Sequence, residues 1–196
     1  TDGGGNVVPS GTTFTWTNPV SSPVGAVTGG SAQATGQSSI SQTLTNTTNA
    51  SATLTYTVTP TSGTCAGTPF TVTVTVNPTP SVTNQTSTIC SGNAFTITPT
   101  NGGGNNVPVG TTYNWGSPVV TGGITGGSAG SGSSITGTLS NPTNSAQTAT
   151  YTVTPTAGSC AGNTFTVTVT VNPSPSVTNQ TSATCSGTAF SVTPVD

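Results

Sequence analysis

An all-β chain built as a tandem array of small sandwich domains is what this sequence predicts, and three observations carry the prediction. Residues 69–100 and 164–195 are nearly the same text at an offset of 95, about the length of one β-domain. Within those copies Phe70, Val72, Val74 and Val76 alternate with Thr71, Thr73 and Thr75, and Phe165, Val167, Val169 and Val171 alternate with Thr166, Thr168 and Thr170. Period-2 alternation with β-branched residues on both faces is a strand signal, with Val turned inward and Thr left wet. Clusters of Gly and Pro punctuate the strands, and no segment carries a helical period.

The repetition extends upstream with one slip. Gly3-Gly4-Gly5-Asn6 and Trp16 match Gly102-Gly103-Gly104-Asn105 and Trp115 at an offset of 99, whereas Tyr56 and Cys65 match Tyr151 and Cys160 at 95. The first copy therefore has four extra residues between Trp16 and Leu44, a length change that a surface connection tolerates. Val195-Asp196 also matches Thr100-Asn101 and Thr1-Asp2, so the stretch is expected to be two periods plus two residues of a longer array. The expected units are a partial repeat (1–78, strands C to G), a complete repeat (79–173) and the start of another (174–196, strands A and B). There is no initiator Met, no signal peptide and no apolar run long enough to span a bilayer.

In the complete unit, strand A falls within Ser81–Ile89 and strand B within Ala94–Pro99, with Phe95 and Ile97 inward. A Gly-rich loop, Asn101–Gly110, leads to strand C, Thr111–Trp115, with Tyr113 and Trp115 inward. After a Gly/Ser-rich region come strand E near Ser133–Leu139, strand F at Thr148–Thr154 with Tyr151 inward, and strand G at Thr164–Val171. Six or seven short strands in about 95 residues, with Trp on C and Tyr on F, read as an immunoglobulin-like sandwich. The expected core aromatics are Trp16, Tyr56, Phe70, Phe95, Tyr113, Trp115, Tyr151, Phe165 and Phe190. Their inward positions make them packing residues rather than a sugar-binding platform.

Composition excludes most chemistry. The 196 residues include no Lys, Arg, His or Met, and the only acidic residues are Asp2 and Asp196; about a quarter are Thr and about an eighth Ser. General acid–base catalysis needs a titratable group, and no His or Lys is present to activate a Ser or Thr. The chain is not expected to be an enzyme. Nucleic-acid binding lacks the basic residues that phosphate demands, and carboxylate-rich calcium sites lack ligands. No cofactor, no metal and no direct membrane insertion are expected. The Gly-rich loops at Gly3–Pro9 and Gly102–Pro108 read as turns. Four sequons, at Asn46, Asn49, Asn84 and Asn179, are what chance produces in so Thr- and Asn-rich a chain.

The run Tyr113-Asn114-Trp115, then Tyr151-Thr152-Val153-Thr154-Pro155, Cys160 and a Val/Thr strand ending Val171-Asn172-Pro173, resembles bacterial PKD-like/Ig-like repeats. Such repeats fill very large cell-surface and secreted proteins of Bacteroidetes, including gliding-motility adhesins exported by the type 9 secretion system. The resemblance covers essentially the whole chain and implies an extracellular location at the bacterial cell surface. The Asp-rich WDFGDG-type motif of better-known PKD domains is absent, since Gly116-Ser117 follow Trp115.

Two features remain. Pro78 and Pro80, and again Pro173 and Pro175, form Pro-x-Pro linkers between units; fixed φ and extended chain make them stiff. Each unit would then add roughly 35–40 Å. Cys65 and Cys160 lie in F–G turns, and Cys90 and Cys185 just before strand B; they are disulfide candidates in an exported chain and buried thiols otherwise. Cys90–Cys160 within the unit is favoured on the assumption of a shortened or shifted strand A. The alternative staples the A–B turn of one unit to the F–G turn of the next. These features point to a stiff stalk or filament repeat of a large adhesin, whose partners are neighbouring repeats and other filament strands. The alternative is a weak glycan- or surface-binding module acting by multivalency.

Overall fold

Alternating Val and Thr builds the longest strands, because a β-branched residue suits either face of a pleat and burying the Val face releases water. The structure, a computed structural model, describes residues 4–195. Asp2 and Asp196 lie outside the described residues, as do Thr1 and Gly3, the first residue of the Gly3–Pro9 loop. Every helix or strand among the described residues is a strand. The first unit contains β1 (Thr13–Trp16), β2 (Val20–Ser22), β3 (Val27–Thr28), β4 (Gln33–Gln37), β5 (Thr45–Asn46), β6 (Ala52–Ser62), β7 (Cys65–Ala66) and β8 (Phe70–Val76). The second contains β9 (Gln85–Cys90), β10 (Ala94–Ile97), β11 (Thr112–Trp115), β12 (Val119–Val120), β13 (Gly130–Gly132), β14 (Ile135–Thr138), β15 (Gln147–Ala157), β16 (Cys160–Ala161) and β17 (Phe165–Asn172).

The second unit is an immunoglobulin-like sandwich. One sheet runs β13-β11-β15-β17-β9, with β12 and β16 pairing onto β15; β10 and β14 form the other. Phe95, Ile135 and Leu139 from the small sheet and its flank meet Tyr113, Trp115, Tyr151 and Val167 from the large one. β15 and β17 pair antiparallel with Tyr151 opposite Val167. β9 then closes the edge of β17 in parallel, Gln85 opposite Val167 and Cys90 opposite Asn172. The Gly/Ser-rich stretch holds β13, which no apolar alternation marks. A Cβ on Gly130 would come 2.6 Å from Cζ2 of Trp115, so this strand lies against the indole and has no room for a side chain.

The first unit repeats the large sheet. β6 is the counterpart of β15 and pairs with β8, β1 and β2; Tyr56 stands opposite Val72 and Trp16 opposite Val58. Its core is Trp16, Val27, Leu54, Tyr56 and Val58 with neighbours. Two expected core aromatics are corrected. Phe70 is 41% exposed, whereas its counterpart Phe165 is 3% exposed. The reason is that β17 has β9 along its edge and β10 across from it, and among the described residues β8 has neither. Phe190 is 71% exposed, because residues 174–195 contain no strand and pack into no core.

Candidate functional site at the junction between units

Among the described residues no His, Cys, Asp or Glu cluster could hold a metal ion, and a set of polar contacts joins the two units. β8 ends at Val76 and the chain continues as Asn77-Pro78-Thr79-Pro80-Ser81. Proline fixes φ and carries no N–H, so this stretch stays extended and leaves few donors to satisfy. Both Pro78 and Pro80 are buried, Pro80 completely. Pro80 packs on the β16–β17 turn of the second unit. A Cβ built on Gly162 would overlap Pro80 O and come 3.1 Å from Pro155 Cγ, so this seat exists only because residue 162 is Gly.

The Gly-rich loop grips the linker from the other side. Asn106 N donates to Ser81 O (2.8 Å) and Ser81 N donates to Asn106 O (2.9 Å). The Asn106 side chain donates to Thr79 O (3.1 Å) in the linker and to Thr48 O (3.4 Å) in the first unit, so one amide spans both. Asn105 Oδ1 accepts from Thr83 N (2.8 Å) and Thr83 Oγ1 (3.0 Å). Glycines make the grip work: Gly102, Gly103 and Gly104 all have positive φ, which turns the loop back so that Gly102 and Asn105 exchange backbone bonds. Beside the linker, a cleft of about 380 Å³ lies between Asn49 and Pro78 of the first unit and Pro108, Val109 and Gly158 of the second.

One further asparagine anchors each unit's exit strand. Asn141, buried, donates through Nδ2 to Val171 O (2.8 Å) and Ser145 O (2.7 Å), and its Oδ1 accepts from Thr143 N (2.9 Å). Asn46 does the same with Val76 O, Ala50 O and Thr48 N. The Asn46 sequon is thus committed to structure: its side-chain nitrogen already serves two carbonyls. Asn46, Asn105, Asn106, Asn141 and Gly162 escaped the sequence reading. Recurrence was the signal that could have exposed all but Asn106: Asn46 recurs at Asn141, Asn6 at Asn105 and Gly67 at Gly162.

The structure separates the cysteines. All four are free, with Cys65, Cys90 and Cys185 exposed and Cys160 half-buried. Cys160 lies opposite Ala157, where β17 begins, while Cys90 lies opposite Asn172, where β17 ends. The eight residues of β17 put them roughly 25 Å apart, against about 7 Å between Cα atoms for a bridge. The expectation of a Cys90–Cys160 bridge is therefore corrected: strand A is not shifted but runs parallel to strand G and carries Cys90 to the far end. Of the second linker, Pro173 is half-buried and Pro175 exposed.

The buried aromatics are core residues. Trp16 Nε1 donates to Ser31 O (2.9 Å), and Trp16 meets Tyr56 edge-on at 6.4 Å. Tyr113 packs edge-on against Phe165 at 6.1 Å, and Phe95 lies 5.6 Å from Tyr151. Burial pushes the phenols of Tyr56, Tyr113 and Tyr151 above their ordinary range. Tyr56 Oη donates to Gln42 Oε1 (2.9 Å), whereas the hydroxyls of Tyr113 and Tyr151 have no partner among the described residues. No helix among the described residues is long and apolar enough to cross a membrane.

Comparison with known families agrees with this architecture. A family model described as a PKD-like domain matches residues 2–80 and again residues 85–175. No curated protein matches the chain.

Proposed function

Since the chain belongs to the PKD-like domain family, we propose that it is a stiff spacer segment in the stalk of a large extracellular protein, and that its work is to hold distance. The observation that carries this reading is the linker: Pro80 is fully buried against the second unit, and Asn106 bonds both the linker and the first unit. A connection made for free swing would be solvated and rich in Gly and Ser. Here a bend at the junction works against the seat of Pro80 and the two bonds of the Asn106 amide.

The finer setting is a surface adhesin of the bacterial gliding-motility type, exported by type 9 secretion and contacting neighbouring repeats and filament strands. Absence of charge within the described residues and outward Thr on every long strand suit an exported filament that must not respond to salt or pH. The repeat boundaries then fall within the linkers, after Pro78 and after Pro173. Cysteines at opposite ends of the sandwich support bridges between successive units rather than within one. The chain is non-catalytic in this reading, consistent with a fold that typically carries no active site.

Small-angle scattering tests the proposal. The maximum dimension of the dilute chain is expected to equal about two unit lengths and to stay constant as salt is raised. A glycan array separates it from multivalent binding: reproducible glycan capture that strengthens with repeat number would replace the spacer reading.

A further inference from the structure

The loop that grips the linker contains the one peptide bond of this chain best suited to rearrange without an enzyme. Asn101-Gly102 is the only place where an asparagine of this sequence is followed by Gly. Every other asparagine is followed by Pro, whose nitrogen has no proton to lose, or by a residue whose side chain crowds the nitrogen. Asn101 and Gly102 are exposed, and a Cβ built on Gly102 would meet nothing within 4 Å. The side-chain carbonyl of Asn101 is already polarised, because Val107 N donates to its Oδ1 (3.1 Å). That N–H sits on the oxygen where negative charge develops when a nucleophile adds to Cγ, the arrangement that stabilises such an addition. The Nδ2 of Asn101, the leaving group, donates to no partner among the described residues.

We propose that Asn101 is a site of spontaneous deamidation whose rate is governed by the junction. Gly102 N adds to Asn101 Cγ. The N–Cγ bond forms, the Cγ–Nδ2 bond breaks, and ammonia departs with the proton of Gly102 N, leaving a cyclic succinimide. Water then opens the ring on either side. Cleavage between Gly102 N and Cγ leaves Asp. Cleavage between Gly102 N and the main-chain carbonyl carbon of residue 101 leaves iso-aspartate, with the chain routed through Cβ and Cγ. Ammonia is lost, water is gained, one carboxylate appears, and nothing is oxidised or reduced.

The turn itself is the brake. Gly102 N donates to Asn105 O (3.0 Å), so ring closure waits for that bond to open. Asn105 is held from the linker side: its Oδ1 accepts from Thr83 N (2.8 Å) and Thr83 Oγ1 (3.0 Å). The next residue, Asn106, exchanges backbone bonds with Ser81. A docked linker therefore slows the reaction and an undocked one releases it. The two products act differently. Asp keeps an acceptor for Val107 N, now charged and stronger. The equivalent positions in the neighbouring repeats are Asp2 and Asp196, so the array already accepts a carboxylate there. Iso-aspartate adds a main-chain atom ahead of Gly102 and pulls it out of register with Asn105.

Peptide mass spectrometry on the full chain, incubated at neutral pH and sampled over weeks, tests the proposal. Chymotrypsin cuts after Phe95 and Tyr113, and the peptide 96–113 holds Asn101 together with Asn105 and Asn106 as internal controls. Electron-transfer fragmentation separates Asp from iso-aspartate. Conversion should be confined to Asn101 and slower than in the free peptide 96–113. It should run about 5-fold faster in Asn105→Ala, which loses the Thr83 anchors. Asn106→Ala leaves those anchors in place and removes the side-chain bonds to Thr79 and Thr48, so acceleration there reads the linker rather than the turn. No conversion at Asn101 once the free peptide has converted completely, earlier conversion at another asparagine, or equal rates in the parent chain and both variants overturns the proposal.

Discussion

Gly162→Ala is the sharpest single perturbation of the junction. The new methyl would overlap Pro80 O, lie 2.9 Å from Pro80 C and 3.1 Å from Pro155 Cγ. All three neighbours are backbone or ring atoms, so no flexible side-chain end can yield. Gly162 is not among the glycines with positive φ, so alanine meets no backbone strain there. The entire cost is steric and falls on the seating of the linker. Overpacking of this kind costs about 1–3 kcal/mol. For a unit of this size that lowers the melting temperature by at least about 4 °C if the linker stays docked. If the linker instead lifts away, the melting change shrinks and the spread of inter-unit distances widens. Thermal melts and single-molecule energy transfer across the two units read these outcomes separately. The control is Gly67→Ala, at the same place in the first unit, where the nearest atom is Pro60 Cγ at 3.0 Å. Equal behaviour of the two variants, or no effect of Gly162→Ala on either readout, would refute the claim that Pro80 is held in a fitted seat.

Other expectations follow from buried polar groups. Tyr151→Phe removes a buried hydroxyl that has no partner and should stabilise by about 1 kcal/mol, while Tyr56→Phe loses the bond to Gln42 and should cost about 1 kcal/mol; urea melts distinguish the signs. Asn141→Ala strands Val171 O and Ser145 O at the exit of β17 and should cost about 2–3 kcal/mol by the same assay. With thiols blocked, stability should be flat from about pH 4 to 9. Above about pH 10 it should fall, because the unfolded tyrosines lose their protons while burial holds the folded phenols protonated; a circular-dichroism melt series in pH checks this.

What was legible in the sequence was whatever alternation and repetition encode. The Val/Thr runs located β8 and β17, and Tyr151 with its alternating neighbours located β15, though β15 extends to Ala157 beyond the expected end at Thr154. β13 was invisible because Gly130-Ser131-Gly132 carries no apolar alternation and Gly130 has no room for a side chain against Trp115. The junction was half legible: Pro-x-Pro announced an extended linker, but its grip depends on Asn105 and Asn106 in a loop that reads as an ordinary turn. The cysteine pairing misled because it hangs on whether strand A meets strand G in parallel, a tertiary fact with no local signature. Burial of Phe70 and Phe190 depends on strands packed against them, which no pattern within their own strands can report.

The central claim is that the linker fixes one unit relative to the next. Cys65 and Cys90 are both exposed and sit at the far ends of the first and second units, so dyes placed there magnify any bend at Pro78–Pro80. Single-molecule energy transfer between them, with Cys160→Ser and Cys185→Ser, reads the distance within one chain. A single narrow population at roughly 70–80 Å, unmoved by salt, is the result a stiff spacer requires. A broad distribution reaching to short distances would contradict it.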